Sequence, residues 1–135
     1  MFMAVDYLLD TNVCIQIIRG QVPDASSPVS KAALEWITIS SITLAELEVG
    51  VAKSARPAEQ RRQVDEFLGE VTVLDFDRKA ALHYGEIRAD LERRGRTIGP
   101  LDLLIAAHAR SLAATIVTAN LREFKRVPGL KCLAW

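Results

Sequence analysis

The chain has 135 residues, half of them apolar and a quarter charged, a composition that excludes a disordered or fibrous protein. Its 17 basic residues balance 17 acidic ones, which excludes a generally basic nucleic-acid coat protein. The length suits a single domain over residues 1–135 with a core of its own.

The charges are divided unevenly along the chain. Residues 1–77 carry 12 acidic and 6 basic side chains, whereas residues 78–135 carry 5 acidic and 11 basic ones. Such a chain can fold with an acidic pocket beside a basic surface, which suits a site where a cation meets a polyanion. An uneven distribution of surface charges without any functional role would explain the same asymmetry.

The two cysteines and the N-terminus indicate a cytoplasmic protein. Cys14 and Cys132 stand in apolar surroundings, with no second cysteine or histidine at metal-ligand spacing, which favours buried free thiols in a reducing compartment. The N-terminal apolar stretch lacks a basic start and is interrupted by Asp6 and Asp10, so we do not expect a signal peptide. No apolar run approaches the ~18 residues of a membrane span.

Short runs of strand-forming residues alternate with segments of helical periodicity. In chain order the predicted elements are a strand at 5–9, a helix at 12–19, a loop at 21–28, a helix at 30–36, a strand at 36–42, helices at 43–54 and 58–68, a strand at 71–74, helices at 78–94 and 101–112, a strand at 115–118, a turn or short helix at 120–124 and a strand at 130–133. This alternation predicts an α/β fold with a mostly parallel sheet and helices on both faces.

Four polar residues stand at or near the predicted carboxyl ends of strands, where open parallel sheets form their functional crevices. Asp10 ends the first strand and Asn120 follows the fourth. Glu46 lies in the helix entered from the second strand, and Asp102 lies in the first turn of the helix before the fourth. We expect these four side chains to converge.

Each of the four residues also has a structural explanation. Asp10 is suited to cap the helix that follows it. Glu46 falls three residues after Thr43, the spacing of a capping box. Asp102 could oppose the positive end of a helix dipole, and Asn120 could be a turn residue.

Converging carboxylates need a neutralising cation, and oxygen ligands favour Mg²⁺ or Mn²⁺ over zinc. Such sites commonly serve phosphoryl chemistry. A group of arginines near one helix end is suited to hold the phosphates of a nucleic acid, although cations at a helix C-terminus also stabilise the helix. These candidate RNA-binding residues are Arg88, Arg93, Arg94 and Arg96. His83 and His108 are interpreted as packing or surface residues.

Four ordered segments resemble the successive motifs of PIN-domain ribonucleases. They are LLDTNV at 8–13, ISSITLAEL at 39–47, IGPLDLLIAAHA at 98–109 and VTANLREF at 117–124. The tail RVPGL at 126–130, ending in Trp135, is similar to that of the VapC-type toxin branch. The resemblance spans nearly the whole chain and implies a PIN-like three-layer α/β/α fold.

The resemblance implies a metal-dependent endoribonuclease that uses Mg²⁺ or Mn²⁺, the toxin of a VapBC-type toxin–antitoxin pair. By motif position, the catalytic, metal-binding acids would be Asp10, Glu46 and Asp102. The supporting polar residues would be Thr11, Asn12, Thr118 and Asn120. Many PIN domains carry a fourth acid where Asn120 stands, so a second metal is expected to bind weakly or only with RNA.

The resemblance also implies an RNA substrate, a cognate VapB-type antitoxin, a toxin homodimer and a higher-order complex with the antitoxin. Four apolar side chains of the early helices are candidate contacts for these partners, although core packing explains them as well. They are Ile15, Ile18, Leu47 and Val51.

Three other interpretations remain open on sequence alone. A haloacid-dehalogenase-type phosphatase needs a second Asp two residues after Asp10, where this chain has Asn12. A phosphoacceptor receiver domain expects paired acids after the first strand and an acceptor after the third, which Asp75 and Asp77 fit only loosely. A PIN fold that binds RNA or a partner without cleaving is the third, and the three retained acids argue against it.

Overall fold

A computed structural model describes residues 7–21 and 37–135 of the chain. The predicted helix at 30–36 and most of the predicted loop at 21–28 lie outside the described residues. The other predicted elements are found. They are β1 (Tyr7–Leu9), α1 (Thr11–Ile18), β2 (Ile37–Ser40), α2 (Ser41–Lys53), α3 (Pro57–Leu68), β3 (Thr72–Leu74), α4 (Arg78–Arg93), α5 (Pro100–Ser111), β4 (Thr115–Thr118), α6 (Leu121–Phe124) and β5 (Lys131–Ala134).

The strands form one five-stranded sheet in the order β3-β2-β1-β4-β5, and every described pairing is parallel. The chain therefore builds outward from β1 in one direction and then from β4 in the other. The strand order reverses between these two central strands, and ligands of open α/β sheets bind at such a switch point, outside the carboxyl ends of the strands.

Two hydrophobic clusters cover the two faces of the sheet. Leu8 and Ile116 belong to the cluster that includes buried residues of α4, α5 and α6, whereas Leu9 and Val117 belong to the cluster with α1, α2 and α3. Successive strand residues point to opposite faces, so both central strands are buried on both sides. The predicted three-layer α/β/α architecture is confirmed.

The start of α2 differs from its prediction in an informative way. The helix begins at Ser41, two residues before the predicted boundary, because the Ser40 hydroxyl accepts a hydrogen bond from the Ile42 N–H at 3.1 Å. Ser40, rather than Thr43, is therefore the N-cap. The capping-box interpretation of Glu46 is wrong, and its side chain is free to serve elsewhere.

A tight connection joins α4 to α5 at the carboxyl edge of the sheet. Gly95 follows α4 with φ of +63°, a conformation that glycine adopts without strain. Arg94 donates to the Arg126 carbonyl at 2.8 Å, and Arg126 donates to the Thr97 carbonyl at 3.1 Å. These bonds tie the connection to the segment after α6.

Cys14 and Cys132 are both free thiols, the first buried and the second half-buried. The prediction of free thiols is confirmed, and the prediction that both are buried holds fully only for Cys14. Among the described residues no helix has the length and apolar character that crossing a membrane requires.

Candidate metal-dependent nuclease site

Asp10 stands directly after β1, beside the end of β4, and its backbone N–H donates to the Val117 carbonyl at 3.1 Å. Its side chain is 2% exposed. One carboxylate oxygen accepts from the Val13 N–H at 2.9 Å and so caps α1, as one interpretation of the sequence predicted. Capping uses one lone pair of one oxygen, so the carboxylate can cap a helix and still face the switch point.

Thr118 holds the second carboxylate oxygen of Asp10. Its buried hydroxyl donates to Asp10 Oδ2 and accepts from the Asn120 N–H at 2.8 Å. These two bonds fix the carboxylate across the gap between β1 and β4. Thr118 and Asn120 thus lie beside Asp10, as predicted, and Asn120 participates through its backbone.

The side chain of Glu46 is bound to α1 through Thr11, one of the predicted supporting residues. Thr11 Oγ1 donates to Glu46 Oε1 at 2.6 Å and lies 3.1 Å from the Thr43 hydroxyl. The bond spans 35 residues of chain and joins the first turn of α1 to α2. Asn12, the next residue, is exposed on α1.

Asp102 lies in the first turn of α5 and is half-buried. Partial burial raises its pKa from 3.8 to about 6, and the negative charges of Asp10, Glu123 and Glu46 contribute in that order. The pKa of Asp10 is also raised, chiefly by burial and further by the charge of Glu46, against the lowering effect of its hydrogen bonds. The charge of Glu46 thus acts on both Asp10 and Asp102, which indicates that the three predicted acids lie in the same part of the fold.

Glu123 is a fourth acid at this site, and it was missed in the sequence analysis. It lies in α6, which follows the carboxyl end of β4, and its charge raises the pKa of Asp102 more than that of Glu46 does. Glu123 stands three positions after Asn120, one helical turn further along. It can therefore place a carboxylate near the position where Asn120 stands instead of a fourth acid. The sequence feature that could have identified Glu123 is an acidic residue one turn into the helix that follows β4.

The carboxylates do not close around a single point. In residues 7–21 and 37–135, no group of three or more His, Cys, Asp or Glu side chains is arranged to hold a metal ion by itself. Magnesium commonly binds one or two carboxylates and completes its shell with waters and substrate phosphates. A set of hard oxygen donors that includes the buried Asp10 and the half-buried Asp102 fits that mode, whereas zinc sites in proteins are built mainly from nitrogen and sulfur ligands.

His108 ties the helix that carries Asp102 to the helix that carries Glu46. The ring is 1% exposed, its Nδ1 lies 2.8 Å from the Ser40 hydroxyl, and Phe76 packs edge-on against it at 5.6 Å between centroids. Since Ser40 caps α2, this buried bond links α5 to the N-terminus of α2. The packing role predicted for His108 is confirmed.

Burial lowers the pKa of His108, although Asp77 and Asp75 oppose the shift. The unfolded chain therefore binds more protons at this position than the folded one, and folding stability falls as the pH drops below about 6.5. We expect His108→Gln, which keeps a hydrogen-bonding side chain, to lose this part of the pH dependence. Urea unfolding of the wild type and the variant between pH 5 and pH 8 measures the free energy of unfolding at each pH. The prediction is wrong if this free energy depends on pH in the same way for both proteins.

The four candidate RNA-binding arginines lie on or just after the C-terminal half of α4. Arg88 is exposed and pairs with Glu92 at 2.7 Å, while Arg93 and Arg94 both pair with Asp90. Arg96 is exposed in the connection to α5. All four thus lie along or just beyond the same part of α4, and three of them form ion pairs with acidic side chains of that helix.

A groove of about 240 Å³ runs between the early helices and reaches Glu46. Three of the four candidate partner residues line it, namely Ile15, Ile18 and Leu47, whereas Val51 packs in the core cluster beneath. Arg19 and Lys53 stand at its border. The groove is therefore lined by apolar side chains and extends to Glu46, one of the acids of the site.

The sequence matches the model of the PIN domain over residues 7–130. The chain is 44% identical over 131 residues to ribonuclease VapC2 of Rickettsia felis, covering 96% of this chain and 97% of the relative. It is 43% identical over 129 residues to the tRNA(fMet)-specific endonuclease VapC of Salmonella typhimurium, with the same coverage.

Solved structures agree with these matches. The fold is similar, with a TM-score of 0.86 and 42% identity, to a chain in the crystal structure of VapBC2 from Rickettsia felis bound to a DNA fragment from their promoter, covering 96% of this chain and 98% of that one. It is similar, with a TM-score of 0.89 and 41% identity, to a chain in the crystal structure of DNA-bound VapBC from Salmonella typhimurium, covering 97% and 98%.

Proposed function

Because this chain belongs to the PIN domain family, we propose that it is an endoribonuclease, the toxin of a VapBC-type toxin–antitoxin pair. The observation that carries the proposal is the electrostatic coupling of Asp102 to Asp10, Glu46 and Glu123 at the switch point between β1 and β4. Burial and the neighbouring negative charges raise the pKa of Asp10 and of Asp102, which is costly to the fold, and a site for a cation is the function that accounts for keeping these acids together.

In this proposal Asp10 and Asp102 would hold Mg²⁺ or Mn²⁺. When bound, the ion would supply orientation and acidification of a water molecule for attack on a phosphodiester, and charge to offset that which develops on the phosphate. Thr118 fixes the orientation of the Asp10 carboxylate, and Thr11 fixes that of Glu46. Glu46 would hold the attacking water, or the ion through water, and would accept a proton from that water.

We further propose tRNA(fMet) as the substrate, since a relative with 43% identity over nearly the whole chain is a tRNA(fMet)-specific endonuclease. Antitoxin-free protein is incubated with tRNA(fMet), the elongator methionine tRNA and ribosomal RNA. Discrete cuts in tRNA(fMet) alone support both parts of the proposal. Cuts in all three contradict the substrate, and cuts in none contradict the nuclease.

Glu123 is assigned the place of the fourth acid. We expect Glu123→Gln to lower the cleavage rate about 10- to 100-fold, the effect typical of a group that supports a metal ligand. Because the charge of Glu123 raises the pKa of Asp102, the variant should also titrate Asp102 at lower pH, which carboxyl ¹³C NMR of metal-free protein measures. Glu59→Gln removes an exposed acid of α3 as the control. An unchanged rate would remove Glu123 from the site.

The partner proposed for the groove beside Glu46 is the antitoxin. An apolar floor bordered by Arg19 and Lys53 suits an amphipathic segment with acidic flanks, and a segment seated there would end against the carboxylates. A basic side chain of that segment could then neutralise the acids. The homodimer and the higher-order complex belong to the same proposal, which the likeness to VapBC structures supports.

We expect Ile18→Asp to weaken antitoxin binding by at least about tenfold, since it buries a charge in the apolar part of an interface. RNA cleavage by the antitoxin-free variant should persist. Calorimetric titration with the purified antitoxin measures the first effect and the RNA assay the second. Antitoxin affinity equal to that of the wild type would place the partner elsewhere.

The other interpretations of the sequence are less well supported. Asp77 was a candidate for the phosphoacceptor of a receiver domain, but its side chain caps α4 by accepting a hydrogen bond from the Ala80 N–H at 3.0 Å. It follows β3, which is an edge strand of the sheet. A binding-only PIN domain has no need for four coupled carboxylates. Persistent absence of cleavage from folded, metal-binding protein would favour that alternative.

A further inference from the structure

A second cavity is lined by residues on either side of Asp102 in the chain, and the catalytic proposal does not use it. It has a volume of about 210 Å³ and opens between the C-terminal half of α4, the connection to α5 and the first turn of α5. The connection contributes Ile98 to its wall, and α5 contributes Leu103, the residue directly after Asp102. A ligand in this cavity would therefore bind to the same turn of α5 that carries Asp102.

The lining of the cavity combines flat apolar surface with a polar rim. Leu91, Ile98 and Leu103 are buried residues that form its floor. Tyr84, Arg88 and Glu92 form its rim, where Arg88 donates to the Tyr84 hydroxyl at 3.0 Å and to Glu92 at 2.7 Å. Since the Tyr84 oxygen accepts from Arg88, its own proton is available to a ligand.

We propose that this cavity binds one unpaired nucleobase of the RNA substrate, a few nucleotides from the phosphate that is cut. The inference rests on the proposed ribonuclease function and adds a base-recognition site to it. RNA-binding proteins read unpaired bases by stacking them on aromatic or apolar surface and by hydrogen bonding to their edges. Tyr84 and the apolar floor provide the surface, while Arg88 and Glu92 provide a donor and an acceptor for the edge.

Size and charge favour a base over a longer ligand. The cavity is smaller than the roughly 300–1,000 Å³ of sites that enclose drug-sized molecules, which suits a single ring system. Arg93 and Arg94 lie on the same helix end and Arg96 lies just beyond it, so the strand that carries the base would pass along cationic side chains. Both features match a nucleotide better than an apolar peptide.

The test couples changes in the RNA to changes in the cavity. The cut is first mapped, and a synthetic RNA that contains it is then made with an abasic residue at each of the three nucleotides on either side. Tyr84→Leu removes the aromatic ring and keeps an apolar side chain, and Arg88→Gln alters the exposed rim without disturbing the floor. Arg93→Gln is the matched control, because it removes a charge outside the cavity.

For the wild-type protein, one abasic position should lower kcat/KM about tenfold, the size of one lost stacking contact. Tyr84→Leu and Arg88→Gln should lower kcat/KM on the intact RNA by a similar factor, and on that abasic RNA by less than about twofold. Arg93→Gln should weaken cleavage of the intact and abasic RNAs equally, because a phosphate contact carries no base information.

Equal losses on intact and abasic RNA for both cavity variants would overturn the inference. So would variants that cleave every RNA like the wild type but bind the purified antitoxin more weakly, since the cavity would then belong to the protein partner. A wild-type protein that cuts no RNA would contradict the proposed function itself, and the base site with it.

Discussion

Replacing Asp102 by Asn should lower RNA cleavage by at least about a hundredfold and leave the protein as stable as the wild type or more stable. The loss of rate follows because a metal ligand contributes several kcal/mol to transition-state stabilisation, and each ~1.4 kcal/mol is a tenfold change in rate. Asn preserves the shape of the side chain but removes its charge. Cleavage assays in Mg²⁺ or Mn²⁺ measure the first effect.

The stability of this variant should depend on pH in a defined direction. The pKa of Asp102 is raised to about 6 by burial and by its acidic neighbours, so the folded protein binds more protons there than the unfolded chain between about pH 4 and pH 6. The wild type therefore loses stability at this position as the pH rises through that window, on the order of 1 kcal/mol after allowance for solvent screening. Above pH 6, Asp102→Asn should be the more stable protein without metal, and below pH 4 the difference should vanish.

Glu70→Gln is the matched control for this experiment, since it removes an exposed acid in the connection between α3 and β3. It should change neither cleavage nor the pH dependence of stability. A folded Asp102→Asn protein with wild-type activity would show that Asp102 is not a catalytic acid.

The second large effect separates the two roles of Asp10. Both Asp10→Asn and Asp10→Ala should lose cleavage by at least about a hundredfold, because each removes the charge that faces the switch point. Only Asp10→Ala should lose stability. The Asn side chain can still accept from the Val13 N–H, whereas Ala removes the cap of α1, at a cost of about 1 kcal/mol.

Asp77→Ala is the control for the capping role. Asp77 caps α4 through the same type of bond, to the Ala80 N–H at 3.0 Å, and lies away from the acids. We expect it to lose stability comparable to Asp10→Ala while cleavage persists. Thermal unfolding and the RNA assay together distinguish the roles, and an unfolded Asp10→Asn protein would indicate that Asp10 is needed chiefly for the fold.

Much of the fold is predictable because strand and helix periods alternate clearly and glycine or proline stands at several boundaries. Gly95 ends α4 and Pro100 opens α5, as expected from their backbone preferences. The start of α2 was mistaken because Ser40 and Thr43 both have capping side chains. The bond of Ser40 to Ile42 decides between them, and the contact of Ser40 with His108, 68 residues away, cannot be read from local sequence.

The acids that follow a strand or stand in the first turn of a long helix could be predicted from the sequence, whereas the acid within the short helix α6 could not. Asp10 and Asp102 follow from their positions relative to β1 and α5. Glu123 does not, since its approach to Asp102 depends on how one turn of α6 is placed after β4. The long-range bond between Thr11 and Glu46 likewise depends on tertiary packing, although the family motifs drew attention to both residues.

If these carboxylates form a metal-dependent ribonuclease site, cleavage should require both a divalent metal ion and Asp10, which one titration measures. Cleavage of tRNA(fMet) by antitoxin-free protein is followed in excess EDTA and then as Mg²⁺ or Mn²⁺ is added back, beside Asp10→Asn purified identically. We expect no cleavage in EDTA, recovery with added metal, and an inactive variant throughout. Cleavage by the wild type that persists in EDTA and is absent from Asp10→Asn would contradict it, because the activity would then belong to this site without a metal.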